Sequence, residues 1–211
     1  KGLLFLAAGS VMHAMSGELD MRKMGGLRKK TPVTYWTTFI ACLAIAGVPG
    51  FSGFFSKDEI LWMAFSKYDS IWFWFIGVIT AGMTAFYMFR MFFSTFHGEC
   101  RADEEIKHHI HESPRIMTVP LMILAVLSLI GGYVGVPALL GGSNHIEKWL
   151  EPVFGHHAAP ATAHAGGFNI ISTAFASSGG AEGAGHAIEM QLMIGAVIIG
   201  LLGIFIAWLF Y

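Results

Sequence analysis

The stretch GVPGFSGFFSKDEIL, residues 47–61, decides how this chain is read. It sets three ionisable side chains in a row, Lys57, Asp58 and Glu59, between the apolar runs TYWTTFIACLAIA (34–46) and LWMAFS (61–66). Residues 33–66 are too long for one straight membrane span, which needs about 20 apolar residues. Pro49 cannot donate a backbone hydrogen bond, and Gly47, Gly50 and Gly53 loosen the chain around it. The pattern predicts a helix over 34–46 that stops near Gly47, and a second that starts near Ser56. Ser56, Lys57, Asp58 and Glu59 read as a capping box for the second helix. The expected result is a discontinuous transmembrane helix. Non-helical backbone at membrane depth is tolerated where it is buried in protein or lines a wet cavity, and such breaks mark binding or translocation sites in transporters. A second reading stays open. If 33–50 were a complete span, Ser56–Glu59 would form a solvated turn at the outer surface. The short hop from Phe65 to Trp72 favours the broken helix.

Composition places the rest of the chain in the same setting. Of 211 residues, 55% are hydrophobic and 13% charged, with a mean hydropathy of +0.60. Soluble domains carry about a quarter charged residues. The 18 Phe and 26 Gly suit membrane helices. A net charge of −1 gives no reason to expect a nucleic-acid partner. Cys42 and Cys100 form no paired motif and imply no disulfide framework. No signal peptide is visible. The chain opens at Lys1 inside one apolar run and closes at Tyr211 after another, so a piece of a longer membrane protein is expected.

An all-α, polytopic transmembrane bundle of about five spans follows, as a single membrane domain over 1–211. Residues 2–15 are a short apolar helix. Residues 72–96, 116–136 and 188–211 are spans. Residues 137–187 form a long, flexible external loop, with HIEKWLEPVF (145–154) patterned as a short surface helix. The loop over 16–31 carries Arg22, Lys23, Arg28, Lys29 and Lys30, and that over 97–115 carries Arg101, Lys107 and Arg115. The opposite loops hold Lys67 and Lys148. Alternating spans put both basic loops on one face, which the positive-inside rule makes the cytoplasmic or matrix side.

Lys57 is the chemical centre of this reading. A protonated Lys near the bilayer centre costs roughly 2.5–3.5 kcal/mol on insertion scales. Burial and the positive end of the second half-helix oppose its charge, and Asp58 and Glu59 favour it. The balance would let Lys57 gain and lose a proton.

The same residues carry a family resemblance. KGLLFL from residue 1, DMRKMGGL (20–27) followed by Pro32, and the pattern G-x-P-x-x-x-G-F-x-S-K-[DE]-x-[IL] from Gly47 to Ile60 resemble the large antiporter-like subunit of NADH:quinone oxidoreductase. This is respiratory complex I, whose subunit is called L in bacteria and chain 5 in mitochondria. HESPRIMTVPLMILAVLSLIGGYVG (111–135) is similar to the downstream region of that subunit, and the last span to the helix before its long lateral helix. The resemblance covers nearly the whole chain, with 155–187 generic, and places it in the C-terminal half of the longer subunit.

The resemblance implies a half-channel of buried Lys, His and acid groups that passes protons, driven by redox chemistry in other subunits. It places Lys57 at the distal end of that line, with Asp58 as its acidic neighbour. Lys1 matches the lysine in the middle of the line, and His13 a histidine nearer the basic face. It implies neighbouring membrane subunits as partners, together with the lipid bilayer, water and protons. The membrane would be the bacterial inner membrane or the mitochondrial inner membrane. The alternative is the large subunit of a multisubunit sodium/proton antiporter, whose chain is similar. No cofactor is expected, since neither G-x-G-x-x-G nor an iron–sulfur cysteine run is present. Nor is a metal: His97, Cys100, His108, His109 and His111 lack ligand spacing. Arg90 is expected to snorkel to the basic face.

Overall fold

The computed structural model describes residues 1–68, 71–136, 149 and 181–211. Among the described residues seven α-helices follow one another and there is no strand. They are α1 (Gly2–Ala14), α2 (Pro32–Ala46), α3 (Ser52–Tyr68), α4 (Ile71–Phe96), α5 (Glu104–His109), α6 (Arg115–Ile130) and α7 (Ala181–Phe210). Short 3-10 turns precede α2 (Leu27–Lys29) and extend α6 (Gly131–Gly135). Among the described residues three stretches are long and apolar enough to cross a membrane: Ile71–Phe96, Arg115–Gly135 and Ile188–Phe210. The bundle is an integral membrane fold. The surface helix expected over 145–154 and the loop over 137–180 lie outside the described residues, Trp149 apart. Helix α7 begins seven residues before the expected span. Ala181, Ala184 and Ala187 are strong helix formers that continue it upstream.

The break between α2 and α3 is real, but its register differs from the expectation. Gly47 is left-handed, at φ +81°. Its N–H donates to the Ala44 carbonyl at 3.2 Å, and that of Val48 to Leu43 at 3.1 Å. This pair of bonds is a Schellman cap. A tight turn follows at once. Pro49 takes its second position, Gly50 its third at φ +91°, and the Phe51 N–H donates to the Val48 carbonyl at 3.2 Å. Helix α3 then starts at Ser52, one turn earlier than predicted. Ser56 is therefore no cap: its hydroxyl donates back to the Ser52 and Gly53 carbonyls at 3.5 Å. The predicted capping box fails because the turn at 48–51 already completes the reversal.

Helix α3 does not continue the line of α2. At 1.5 Å per residue, the 15 residues of α2 carry the chain about 22 Å from the basic face. Phe55 and Ser52 press on Gly132, about 25 Å beyond the start of α6, and Leu61 presses on Gly77, about 28 Å before the end of α4. Their depths are nearly equal, so α3 lies across the bundle from α6 to α4.

Lipid tails are as apolar as Leu, so close packing holds such helices together. Helices α4 and α7 run parallel and touch through small residues. A Cβ on Gly203 would fall 2.5 Å from the Gly82 carbonyl oxygen, and Ala85 and Ala207 are fully buried nearby. At the basic end Phe89, Phe92 and Phe96 of α4 stack with Tyr35 and Phe39 of α2 over Val11, Met15 and Leu27. The two basic loops meet on one face, as predicted: the Gly26 N–H donates to the His97 carbonyl at 3.1 Å, and the Arg101 guanidinium to the carbonyls of Met24 and Ser94 at 2.7 and 2.8 Å.

Candidate functional site

Lys57 stands in the second turn of α3, half-buried. Gly53, one turn before it, touches the end of α2 so closely that a Cβ there would lie 1.8 Å from the Ala44 carbonyl oxygen. This contact lays the Lys57 side chain along the α2 cap. Its Nζ donates to the Ala46 carbonyl at 3.4 Å, and its Cδ lies 3.2 Å from where a Cβ on Gly47 would be. Sequence reasoning set Lys57 against the positive end of the second half-helix. The early start of α3 moves that end away, and the ammonium faces the carbonyl end of α2, a partial negative charge.

Asp58 turns about 100° from Lys57 around α3, toward the buried stripe of Phe54, Phe55 and Leu61. Its Oδ2 is buried without a hydrogen-bond partner among the described residues. A carboxylate oxygen left so is costly unless a charge or a proton compensates it. Lys57 and Asp58 are thus two adjacent ionisable groups at the break, set about 100° apart around α3.

The structure does not bring Lys1 and His13 to these two groups. Both are exposed on α1, twelve residues apart, about 18 Å along the axis. Lys1 is at the end of α1 away from the basic loops. His13 lies at the basic end, its ring 6.0 Å from that of His111. Arg90 sets its guanidinium 5.2 Å over the ring of Tyr211 near the basic end of α4. Among the described residues no group of three or more His, Cys, Asp or Glu is placed to hold a metal.

The sequence reading missed a polar knot where α1, α2 and α6 meet. Thr31 spends its hydroxyl on the Leu27 carbonyl at 3.0 Å and leaves the start of α2 uncapped. Glu112 caps it from a distant segment: its Oε2 accepts the Val33 N–H at 2.7 Å, and its Oε1 the Thr34 hydroxyl at 2.7 Å. Thr34 continues to Ser10 at 2.8 Å, and Ser10 to Ser113 at 2.7 Å. All three hydroxyl residues are buried. A partner 78 positions away leaves no spacing signal. Solvated pairs order the basic loop nearby. Arg22 grips the Asp20 carboxylate at 2.8 Å and holds its pKa at about 2, and Lys23 lowers that of Glu18.

Residues 1–84 match the family model described as NADH:quinone oxidoreductase/Mrp antiporter, TM. The whole chain aligns with an NAD(P)H-quinone oxidoreductase chain 5 of Picosynechococcus sp., 43% identical, over 32% of that protein. A Rhodobacter capsulatus NADH-quinone oxidoreductase subunit L is 45% identical over 67% of this chain and 21% of its own length. A Marchantia polymorpha NADH-ubiquinone oxidoreductase chain 5 is 40% identical over 73% of this chain and 23% of its own. The chain spans a third or less of the length of these relatives. With its broken helix, its lysine at the break and this match, the chain belongs to the antiporter-like membrane subunits of the NADH:quinone oxidoreductase and Mrp antiporter family.

Proposed function

We propose that the chain works in a proton-translocating subunit of an NADH:quinone oxidoreductase, an enzyme complex whose redox chemistry resides in other subunits. The observation that carries this is Lys57 at the helix break, its ammonium on the α2 carbonyl end and Asp58 beside it. A lysine in that position can take a proton from one side and release it to the other. Asp58 sets the charge balance of the pair. Lys1 and His13 hold earlier places on the route, Lys1 at mid-depth and His13 near the basic face. The partners are the neighbouring membrane subunits, among them another antiporter-like chain. The membrane is a bacterial inner membrane or the mitochondrial inner membrane, with the basic loops on the cytoplasmic or matrix side. This chain holds no redox cofactor.

The names of the relatives above support this over a multisubunit sodium/proton antiporter. Neighbouring genes would separate the two: hydrophilic iron–sulfur subunits on one reading, small antiporter subunits on the other. The direct test is Lys57→Ala in the intact complex, reconstituted in vesicles. Proton pumping should fall strongly with assembly unchanged, and Lys57→Arg should also impair it, because Arg does not release its proton. Parental pumping in Lys57→Ala would overturn the assignment.

A further inference from the structure

We infer that Gly132, on the 3-10 extension of α6, is a positioning residue for Lys57. With Gly53 it forms a notch that seats the first turn of α3, so that α6 as well as α2 sets where the Lys57 ammonium stands.

The inference starts from the spacing of α6. Thr118, Leu121 and Ala125 form its buried stripe, and at helical spacing the stripe runs on through Ser128 to Gly132. Leu121 and Ala125 pack on Ala41 of α2, so the two helices lie side by side. The first turn of α3 drops into the notch beside their ends. On the α2 side Gly53 lies against the Ala44 carbonyl. On the α6 side a Cβ added to Gly132 would lie 2.6 Å from the Ser52 Cα and 2.5 Å from Cδ2 of Phe55. Ser52 and Gly53 are about 100° apart around α3, so backbone meets backbone on two sides of one turn. A 3-10 turn is tighter than an α-helix, and over Gly131–Gly135 it lets the end of α6 come this close.

Two features tie this seat to Lys57. The seat is stiff, because backbone cannot swing aside as a side chain can. At its far end α3 meets Gly77 only through the tip of the Leu61 side chain, which can give. The position of α3 is thus fixed at its first turn, and Lys57 follows five residues after Ser52, about 7.5 Å along the axis. The contact that Lys57 makes is also near its limit: 3.4 Å from Nζ to the Ala46 carbonyl is at the long end of hydrogen bonding. Gly132→Ala would need about 0.8 Å more room to bring 2.6 Å to the ordinary contact of 3.4 Å. Carried to Lys57 as a rigid shift, that opens its contact toward about 4.2 Å, and the hydrogen bond is lost. Gly131, next in the chain, is the opposite case: it is exposed, and a Cβ there meets nothing within 4 Å. On the other side Tyr133 leans its exposed ring on Phe55, with 5.4 Å between centroids.

The test uses the intact complex and reads the seat apart from transport. A cysteine placed by Lys57→Cys reports the placement of α3 through its rate of labelling with a small uncharged maleimide, followed by mass spectrometry of the peptide that carries it. Adding Gly132→Ala should raise that rate several-fold, because α3 is lifted out of the notch. Adding Gly131→Ala should leave it unchanged. Phe55→Ala in the Gly132→Ala background should not restore it, because the Ser52 backbone still blocks. Where Gly132→Ala does not assemble, Tyr133→Ala takes its place: it removes a ring that leans on Phe55 without filling the notch, and should also raise the rate. An unchanged rate in the variant that assembles, an equal rise with Gly131→Ala, or restoration by Phe55→Ala overturns the seat. With Lys57 in place, Gly132→Ala should pump several-fold fewer protons per electron and Gly131→Ala the parental number. Parental pumping in Gly132→Ala overturns its positioning role. This pumping arm alone rests on the proton-translocation reading: parental pumping in Lys57→Ala, with the labelling result intact, overturns that reading and leaves the seat standing.

Discussion

Gly53→Ala tests whether α3 rests on α2 in the way that positions Lys57. Alanine is the better helix former by about 0.5–1 kcal/mol, so propensity alone would make the change favourable. The structure reverses that sign. The new Cβ would lie 1.8 Å from the Ala44 carbonyl oxygen, where ordinary contact is 3.4 Å. The helices must part by about 1.6 Å, the difference of the two. Carried to Lys57, that shift stretches its 3.4 Å contact with Ala46 to about 5 Å, beyond a hydrogen bond. A hydrogen bond to a charged group contributes about 1.5–3 kcal/mol. Losing it would leave the observed placement of Lys57 about ten- to a hundredfold less populated, at a factor of ten per 1.4 kcal/mol. Proton pumping by the reconstituted complex should drop by about tenfold or more, with complex content checked on native gels. Gly9→Ala is the control, since a Cβ there meets nothing within 4 Å. Parental pumping and thermal stability in Gly53→Ala would refute the close approach and, with it, the account of how Lys57 is held.

Two further outcomes are expected. Asp20, held at about 2 by Arg22, should stay ionised in the folded loop well below the ordinary carboxylate range. Its contribution to loop order is thus present above pH ~4 and lost as pH falls through about 2; carboxyl carbon chemical shifts should show this, and Arg22→Gln should raise the titration toward the ordinary carboxylate range without reaching it, because the backbone N–H of residue 22 still donates to Asp20. Single cysteines at Leu19 and Glu105, both exposed, should be labelled by an impermeant reagent from the same side, in inside-out vesicles only; labelling from opposite sides would break the topology.

The fold was legible where one residue type dictates local backbone. Gly47 and Pro49 marked the break, and the aromatic run of 72–96 its own span. The start of α3 was not legible, because two turn types in succession use only Gly47–Phe51 and Ser56 looks like a cap in isolation. Lys57 and Asp58 stand out in the sequence as charge in an apolar setting. The electrostatic partner of Lys57 was misjudged, since it comes from the end of the preceding helix and depends on three-dimensional return. Glu112 was invisible for a related reason: it caps a helix 78 residues away in the chain, and its own neighbours, two histidines and a serine, read as a solvated loop.

The shortness of α2 has an electrical meaning. With Pro32 set at the boundary of a hydrocarbon core about 30 Å thick, the 15 residues of α2 end about 22 Å in, which would set Lys57 about seven-tenths of the way across from the basic face. If the membrane potential falls evenly through the core, a proton carried from that face to Lys57 traverses about 0.7 of the voltage, or about 1.6 kcal/mol for every 100 mV. On the proposed role of Lys57, about seven-tenths of the electrical work of each passage would fall on the approach to it and about three-tenths, about 0.7 kcal/mol for every 100 mV, on the step beyond.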